Sequence, residues 1–400
     1  MNIRRVKYSD IEQIPHLKVH NHFKSDFFGS SPAPFIGRYG YPQVSIGVLS
    51  PQLSGDTSEY NSPRLWSQDN LAIGKIASMR HSMVNSKSHA DVHDMQGKFL
   101  EIVKEVGMAK QAAELEINLQ KRPQLQLKPE REITPFGPQA EIKRARITEN
   151  VKVDSRVERV VSDTDLKAAP AIISLYRKGF EESSLNSLLS VGNVGLAQNR
   201  KLVPTRWSIT AVDDTIGKDL IPEIKDFSVG EYQAYFGGSW GNYYLLLFFP
   251  EVWSYELFET YINNPVNPWS QNGYMYSTDY EDFAGRKTYA EETAGGYYAC
   301  RLGVLEKMKQ LKRQGSCLAL RFITSEYTIP LGVWVCREAT RKSIESAAIT
   351  FSDQELMIKY AQALVKKKFG FDVDLLLKES KLLKNMKEQR KLSEFGCGDS

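Results

Sequence analysis

Cysteine is scarce in this chain: four among 400 residues, at positions 300, 317, 336 and 397. That is too few for a disulfide scaffold, and no pair has the C-x-x-C spacing of a zinc ribbon. Histidine is confined to the start of the chain, all six lying before residue 94. A Ser-His-Asp or Cys-His site therefore needs long-range assembly that spacing alone does not reveal. Long apolar runs are missing too. Leu245-Leu246-Leu247-Phe248-Phe249 is the longest strongly apolar stretch, against about 20 residues needed to span a bilayer. The basic opening Met1-Asn2-Ile3-Arg4-Arg5-Val6-Lys7 is not followed by the apolar core of a secretory signal. Nor does one sign of charge dominate: Lys plus Arg number 52 and Asp plus Glu 48, a net +4. That balance excludes an acidic solvating chain and is too mild to carry nucleic-acid affinity by itself. These absences predict a soluble, cytoplasmic protein with no membrane association.

What is present fits a globular body. Hydrophobic residues at 42% are ordinary, and this length suffices for at least one full core. Residues 1–120 are expected to form a loop region rich in Gly, Pro and aromatics, followed by a long amphipathic helix over about 92–119. The loop signal is the run Phe28 to Pro42, with Gly29, Pro32, Pro34, Gly37 and Gly40, which forces turns. Val44 to Val48 alternates as a strand does. The helix is read from Met95, Phe99, Ile102, Val103, Val106 and Ala109, three and four residues apart. Pro123, Pro129, Pro135 and Pro138 mark 121–140 as an extended connector. A mixed body spans 141–372, with helical patterns near 166–189, 297–313 and 352–367. Strands are expected at Val151–Val153, Val157–Val161, Arg206–Val212, Tyr243–Phe249 and Leu331–Cys336. Strands interleaved with helices predict an α/β or α+β mixed fold. It closes with a basic helical segment at 373–391 and a flexible basic C-terminal tail.

The sharpest motif lies in that tail. In Gln389-Arg390-Lys391-Leu392-Ser393-Glu394-Phe395, a Gln, an aliphatic and an aromatic side chain recur every third residue. One 3₁₀ turn puts all three on one face. Leu392 and Phe395 then plug an apolar pocket while the Gln389 amide bonds backbone beside it. The pattern resembles the peptide with which replication and repair proteins grip the sliding clamp PCNA, with Gly396 where a second aromatic is usual. Gln354, Met357 and Tyr360 meet the same spacing, but they run into an amphipathic helix and read as core.

Other constellations are weaker. Asp213-Asp214 and the pair Asp279 and Asp282 are candidate catalytic carboxylates, able to hold Mg²⁺ if the chemistry is hydrolytic; at turns, Asp is equally favoured for backbone bonding. Arg38-Tyr39, with Tyr41 nearby, and Arg206-Trp207 pair a phosphate-binding cation with a stacking surface, as suits single-stranded or distorted nucleic acid. His16, His20 and His22, and His89 with His93, have chelating spacing but no cysteine nearby, so no metal site and no resident cofactor are expected. Gly237-Gly238-Ser239-Trp240-Gly241 is neither a P-loop nor a dinucleotide fingerprint. Lys307, Lys309, Lys312, Arg313 and Lys366 to Lys368 form a soft basic surface.

Several segments together resemble the archaeal Nre DNA-repair family. They are Gly29 to Pro42, Gly55-Asp56-Thr57-Ser58, Lys201-Leu202-Val203-Pro204-Thr205-Arg206-Trp207-Ser208-Ile209-Thr210-Ala211-Val212-Asp213-Asp214, Gly295 to Ala299 and Pro330 to Trp334. The resemblance implies a role in DNA damage repair with PCNA, the clamp peptide mapping onto Gln389, Leu392 and Phe395. Family members often carry an N-terminal cysteine cluster resembling a zinc finger. This chain has no cysteine before 300, so no metal site is carried over. The leading expectation is a repair protein tethered to DNA by the clamp, touching DNA itself weakly or indirectly. A nucleotide- or nucleic-acid-processing enzyme with an Arg/Asp pocket is the alternative, and a non-catalytic repair adaptor is a third.

Overall fold

The mixed α/β class is the one observed. The computed structural model describes residues 3–7, 23–123, 133–264, 267, 269–270 and 273–388. Its strands, in chain order, are β1 (Ile3–Arg5), β2 (Asp26–Ser31), β3 (Ala33–Ile36), β4 (Gln43–Pro51), β5 (Met83–Asp91), β6 (Ala113–Leu119) and β7 (Gln139–Ile147). Then follow β8 (Tyr232–Ser239), β9 (Asn242–Phe249), β10 (Ser254–Tyr261), β11 (Tyr274–Glu281), β12 (Ser316–Ile323) and β13 (Ile349–Phe351). Two compact units share them. The first comprises the described parts of Met1–Gln13, Leu220–Tyr327 and Ala339–Ser400, the second those of Ile14–Asp219 and Thr328–Glu338. Among the described residues no helix is long and apolar enough to cross a membrane.

The first unit is built on a mixed sheet of order β1-β11-β10-β12-β9-β8-β13. Its central strands β10 and β12 are parallel and buried along all eight residues, as a strand covered on both faces must be. One face is apolar. Leu245, Leu247, Phe249, Leu318, Leu320 and Phe322 pack there against Met357, Ala361 and Val365 of the helix Gln354–Phe369. Met357 is fully buried and Tyr360 rests on Phe351 at 5.3 Å, so the second Gln-x-x-apolar-x-x-aromatic match is core. The opposite face is charged and paired. Arg321 meets Glu259 and donates to Asn242, while Arg301 of the helix Gly295–Leu311 holds Glu281 at 2.8 Å. Burial pushes the Glu259 carboxyl up from its ordinary value, against the pull of Arg321.

A third buried carboxylate, Glu256, anchors the end of the described chain. It accepts from Ser380 Oγ at 2.5 Å and from the backbone N–H groups of Lys381 and Leu382 at 3.0 Å. These are otherwise unpaired donors at the start of the helix Lys381–Glu388, where a negative charge is also favoured by the helix dipole.

The second unit curls its sheet, β2-β6-β7-β5-β4-β3, so that its first and last strands are consecutive in the chain and separated only by Pro32. Ser31 Oγ donates to Leu49 O at 2.9 Å across that closure. Leu100, Val103 and Val106 of the helix Lys98–Met108 fill the core over Val44, Ile46, Leu115 and Ile117.

Several sequence expectations change, the turn-rich run among them: most of Phe28 to Ile36 lies in β2 and β3. The expected 92–119 helix stops at Met108, and 113–119 becomes β6; Ala-Glu-Leu-Glu-Ile-Asn-Leu alternates buried and half-buried, the period of a strand. Arg206–Val212 and Val157–Val161 are helical, within Thr205–Lys225 and Ser155–Ser162. In the first, Val212, Ile216 and Leu220 are buried and lie four apart, a register visible only beyond the seven residues that look like a strand. Leu331–Cys336 is a turn through Gly332, at φ +96°, into the helix Trp334–Glu345.

The glycine-rich run proves to be a tight hairpin between β8 and β9. Trp240 and Gly241 form its two-residue loop at φ +55° and +69°, as a right-twisted hairpin requires. A Cβ on Gly241 would stand 2.3 Å from Tyr327 N. Gly241→Ala should therefore lower the unfolding free energy by about 1–3 kcal/mol in urea titrations, whereas an unchanged midpoint would place the loop elsewhere.

Candidate nucleic-acid interface

Pro204 ends an extended segment, and its carbonyl accepts from the N–H groups of Trp207 at 2.8 Å and Ser208 at 3.0 Å. That starts the helix Thr205–Lys225 and turns Trp207 outward, 44% exposed. Thr205 Oγ1 accepts from Ile36 N at 2.9 Å, which ties the end of β3 to the helix start. The chain beyond β3 then turns at Gly40–Gln43, closed by Gln43 N to Gly40 O at 2.9 Å, with the Tyr41–Pro42 peptide cis. Tyr41 meets Trp207 with ring centroids 5.2 Å apart. Tyr39 is 70% exposed, with the Arg38 guanidinium 4.6 Å over its ring and Arg38 Nη2 donating to its hydroxyl at 3.0 Å. Arg206 sits half-buried in the first helical turn.

Two sequence segments more than 160 residues apart thus bring the exposed rings of Tyr41 and Trp207 together, with the exposed Tyr39 and its Arg38 two and three residues before Tyr41. Large exposed aromatics are costly to leave in water unless they meet a partner. Flat rings beside guanidinium groups are suited to stack nucleobases and meet phosphates.

The carboxylate candidates serve separate partners. Asp213 is fully buried and accepts from Arg337 Nη1 with both oxygens, at 2.8 and 2.9 Å. Arg337 Nε also stands 3.5 Å from Glu182. Asp214, one residue on and so about 100° around the helix, pairs with Lys218 at 2.6 Å. In the first unit Asp279 accepts from the N–H groups of Glu292 and Thr293 and pairs with Arg286 at 3.1 Å. Asp282 is exposed and closes a turn through Ala284 N. Among the described residues no group of three or more His, Cys, Asp or Glu is placed to hold a metal. His89 lies in β5, 3.8 Å from Glu141, and His93 follows the strand. Gln389, Leu392, Phe395 and Gly396 lie outside the described residues, as do His16, His20 and His22.

Sequence reasoning passed over Arg337, Glu182 and Arg80, all buried. Their signals were weak because each partner is distant in the chain: 124 residues separate Arg337 from Asp213.

A family model for the N-terminal part of archaeal Nre proteins matches residues 9–270, and one for the C-terminal part matches residues 281–395. The chain belongs to the archaeal Nre family. It is 34% identical over 385 residues to the DNA repair protein NreB of Archaeoglobus fulgidus, covering 96% of this chain and 95% of that one. It is 37% identical over 336 residues to the DNA repair protein NreA of Haloferax volcanii, covering 81% of this chain and 80% of that protein. No solved structure matches. The N-terminal match of this Nre chain includes every residue of the aromatic surface.

The two neighbouring aspartates of this Nre protein should respond differently to loss of charge. Asp213→Asn should cost about 3–5 kcal/mol of stability, since it leaves Arg337 short of its buried counter-charge. Asp214→Asn should cost less than about 1 kcal/mol, as partly exposed pairs do. Thermal and urea unfolding of both variants checks this, and equal losses would refute it.

Proposed function

We propose that this chain is a DNA repair protein brought to DNA through the PCNA sliding clamp by its Gln389-x-x-Leu392-x-x-Phe395 peptide, and that it engages single-stranded or distorted DNA on the Tyr39–Tyr41–Trp207 surface. The observation that carries the DNA contact is the pairing of Tyr41 with Trp207, 5.2 Å apart and exposed, with Arg38 and Arg206 in the same two segments. The repair role is supported by family membership and by relatives that bear the name DNA repair protein.

Two observations support the tether. The C-terminal family model extends to residue 395, so the peptide lies within the family's own sequence pattern. The helix Lys381–Glu388 ends one residue before Gln389, and its start is held to β10 through Glu256. A peptide rooted on a fixed helix raises the local concentration of the body at the clamp. A net charge of only +4 then suffices, because the clamp supplies proximity that strong phosphate affinity would otherwise provide.

Calorimetric titration of the cognate clamp tests the tether. The full chain should bind in the micromolar range, about −8 kcal/mol. Truncation after Glu388, and the double variant Leu392→Ala/Phe395→Ala, should lose that binding with unfolding unchanged. Indifference of the full chain to the clamp would remove the tether. Fluorescence anisotropy with a labelled oligothymidine tests the surface: Tyr41→Ala/Trp207→Ala should weaken binding by about 1–3 kcal/mol per stacked base lost. Equal affinity in the variant would remove the surface and leave the tether standing.

A further inference from the structure

In the same unit as the aromatic rings lies a cavity framed by β3, the helix Glu182–Ser190 and the first turns of Thr205–Lys225 and Trp334–Glu345. Phe35, Ile209 and Trp334 form apolar and aromatic walls; Arg80, Asn61 and Asn186 supply polar groups. Atom-free space amounts to about 680 Å³, open solvent at the mouth included. Pockets that take small molecules run to about 300–1,000 Å³. Its two connecting segments are those of the aromatic surface: Phe35 precedes Arg38 by three residues, and Thr205, which lines the cavity, precedes Trp207 by two.

The electrostatics of this cavity are unusual. No Asp or Glu is among its lining residues. Arg337 has its charge met by Asp213 behind the wall. Among the described residues Arg80 has no such partner. It is 3% exposed, and it donates only to neutral oxygens: Nε to Pro135 O at 2.8 Å, and Nη1 to Tyr60 O at 3.0 Å and Asn61 Oδ1 at 2.9 Å. Its Nη2 donates to no group among the described residues, and no carboxylate there forms an ion pair with it. Burial pushes the guanidinium down from its ordinary value to about 9, the mark of a cation removed from water without a counter-charge. Asn186, which also lines the cavity, has a buried Oδ1 that accepts no hydrogen bond among the described residues. A buried charge ordinarily has a partner, and a buried acceptor a donor.

We propose that this cavity binds the phosphate of a nucleotide, Arg80 Nη2 donating to phosphate oxygens and Asn186 Oδ1 accepting an N–H or O–H from the nucleoside. An anion supplies the counter-charge that Arg80 does not find among the described residues, and the apolar and aromatic walls accommodate the base. The phosphate has two sources, a free nucleotide or the end of a DNA strand. The choice of nucleotide rests on reading this unit as facing nucleic acid; the demand for an anion does not.

Titration of the full chain with inorganic phosphate, dAMP, and a tetranucleotide with and without a 5′-phosphate tests this, at constant ionic strength in chloride. Phosphate should bind saturably and raise the melting temperature, and dAMP should bind more tightly. Arg80→Lys, which keeps the charge but loses the forked donors, should weaken phosphate and dAMP about tenfold or more. Asn186→Leu should bring dAMP down to the level of phosphate while sparing phosphate itself, and because its Oδ1 holds no partner its fold should survive. Preference for the 5′-phosphorylated tetranucleotide over dAMP assigns a strand end, and the reverse assigns a free nucleotide. Phosphate effects no larger than those of chloride, or unchanged binding in both variants, would overturn the proposal. Failure of oligothymidine binding at Trp207 with phosphate binding intact would remove only the surface reading.

Discussion

A guanidinium removed from water must be met by an anion or by well-placed oxygens, and the polar interior of both units answers to that demand. In the first unit Arg301 is met by Glu281 and Arg321 by Glu259 and Asn242. In the second, Arg337 is met by Asp213 and Glu182. These pairs lie on strands and helices distant in sequence, so each fixes the register of one element against another. Their net contribution to stability is modest once desolvation is counted. Arg80 departs from this rule: among the described residues it is held by carbonyl and amide oxygens alone.

The same demand explains why the acidic residues most suggestive of metal chemistry have other work. Asp213 and Asp214 are neighbours in the chain but face different surroundings on one helix, a buried arginine and a solvated lysine. Asp279 collects backbone N–H groups and Arg286, and so holds the loop that leads into the helix Gly295–Leu311. Tyr39, Tyr41 and Trp207 stand exposed on a short loop and a helix start, both anchored through the Ile36–Thr205 hydrogen bond.

The terminal helix follows the same logic. Glu256 is buried, and burial pushes its carboxyl up from the ordinary range, while Ser380 and two backbone N–H groups pull it down. The carboxylate thus caps a helix of eight residues, Lys381–Glu388, too short to be stable in isolation. Leu382 and Leu383 complete the attachment by entering the apolar face of the sheet.

The sequence alone determined the composition class, the mixed α/β character, the strand Tyr243–Phe249, the helix beginning near Gln354, the Arg-aromatic pairs and the family. These are carried by local pattern or by long specific motifs. It misassigned Arg206–Val212 because seven residues beginning with Arg-Trp-Ser-Ile satisfy two periods at once; only burial of Ile216 and Leu220 further along selects the helix. The joining of Tyr41 to Trp207, the burial of Asp213 against Arg337 and the setting of Arg80 among neutral oxygens were decided by tertiary structure. Each depends on contacts across 50 to more than 160 residues, a separation over which side-chain identity in the chain carries no information about distance in space.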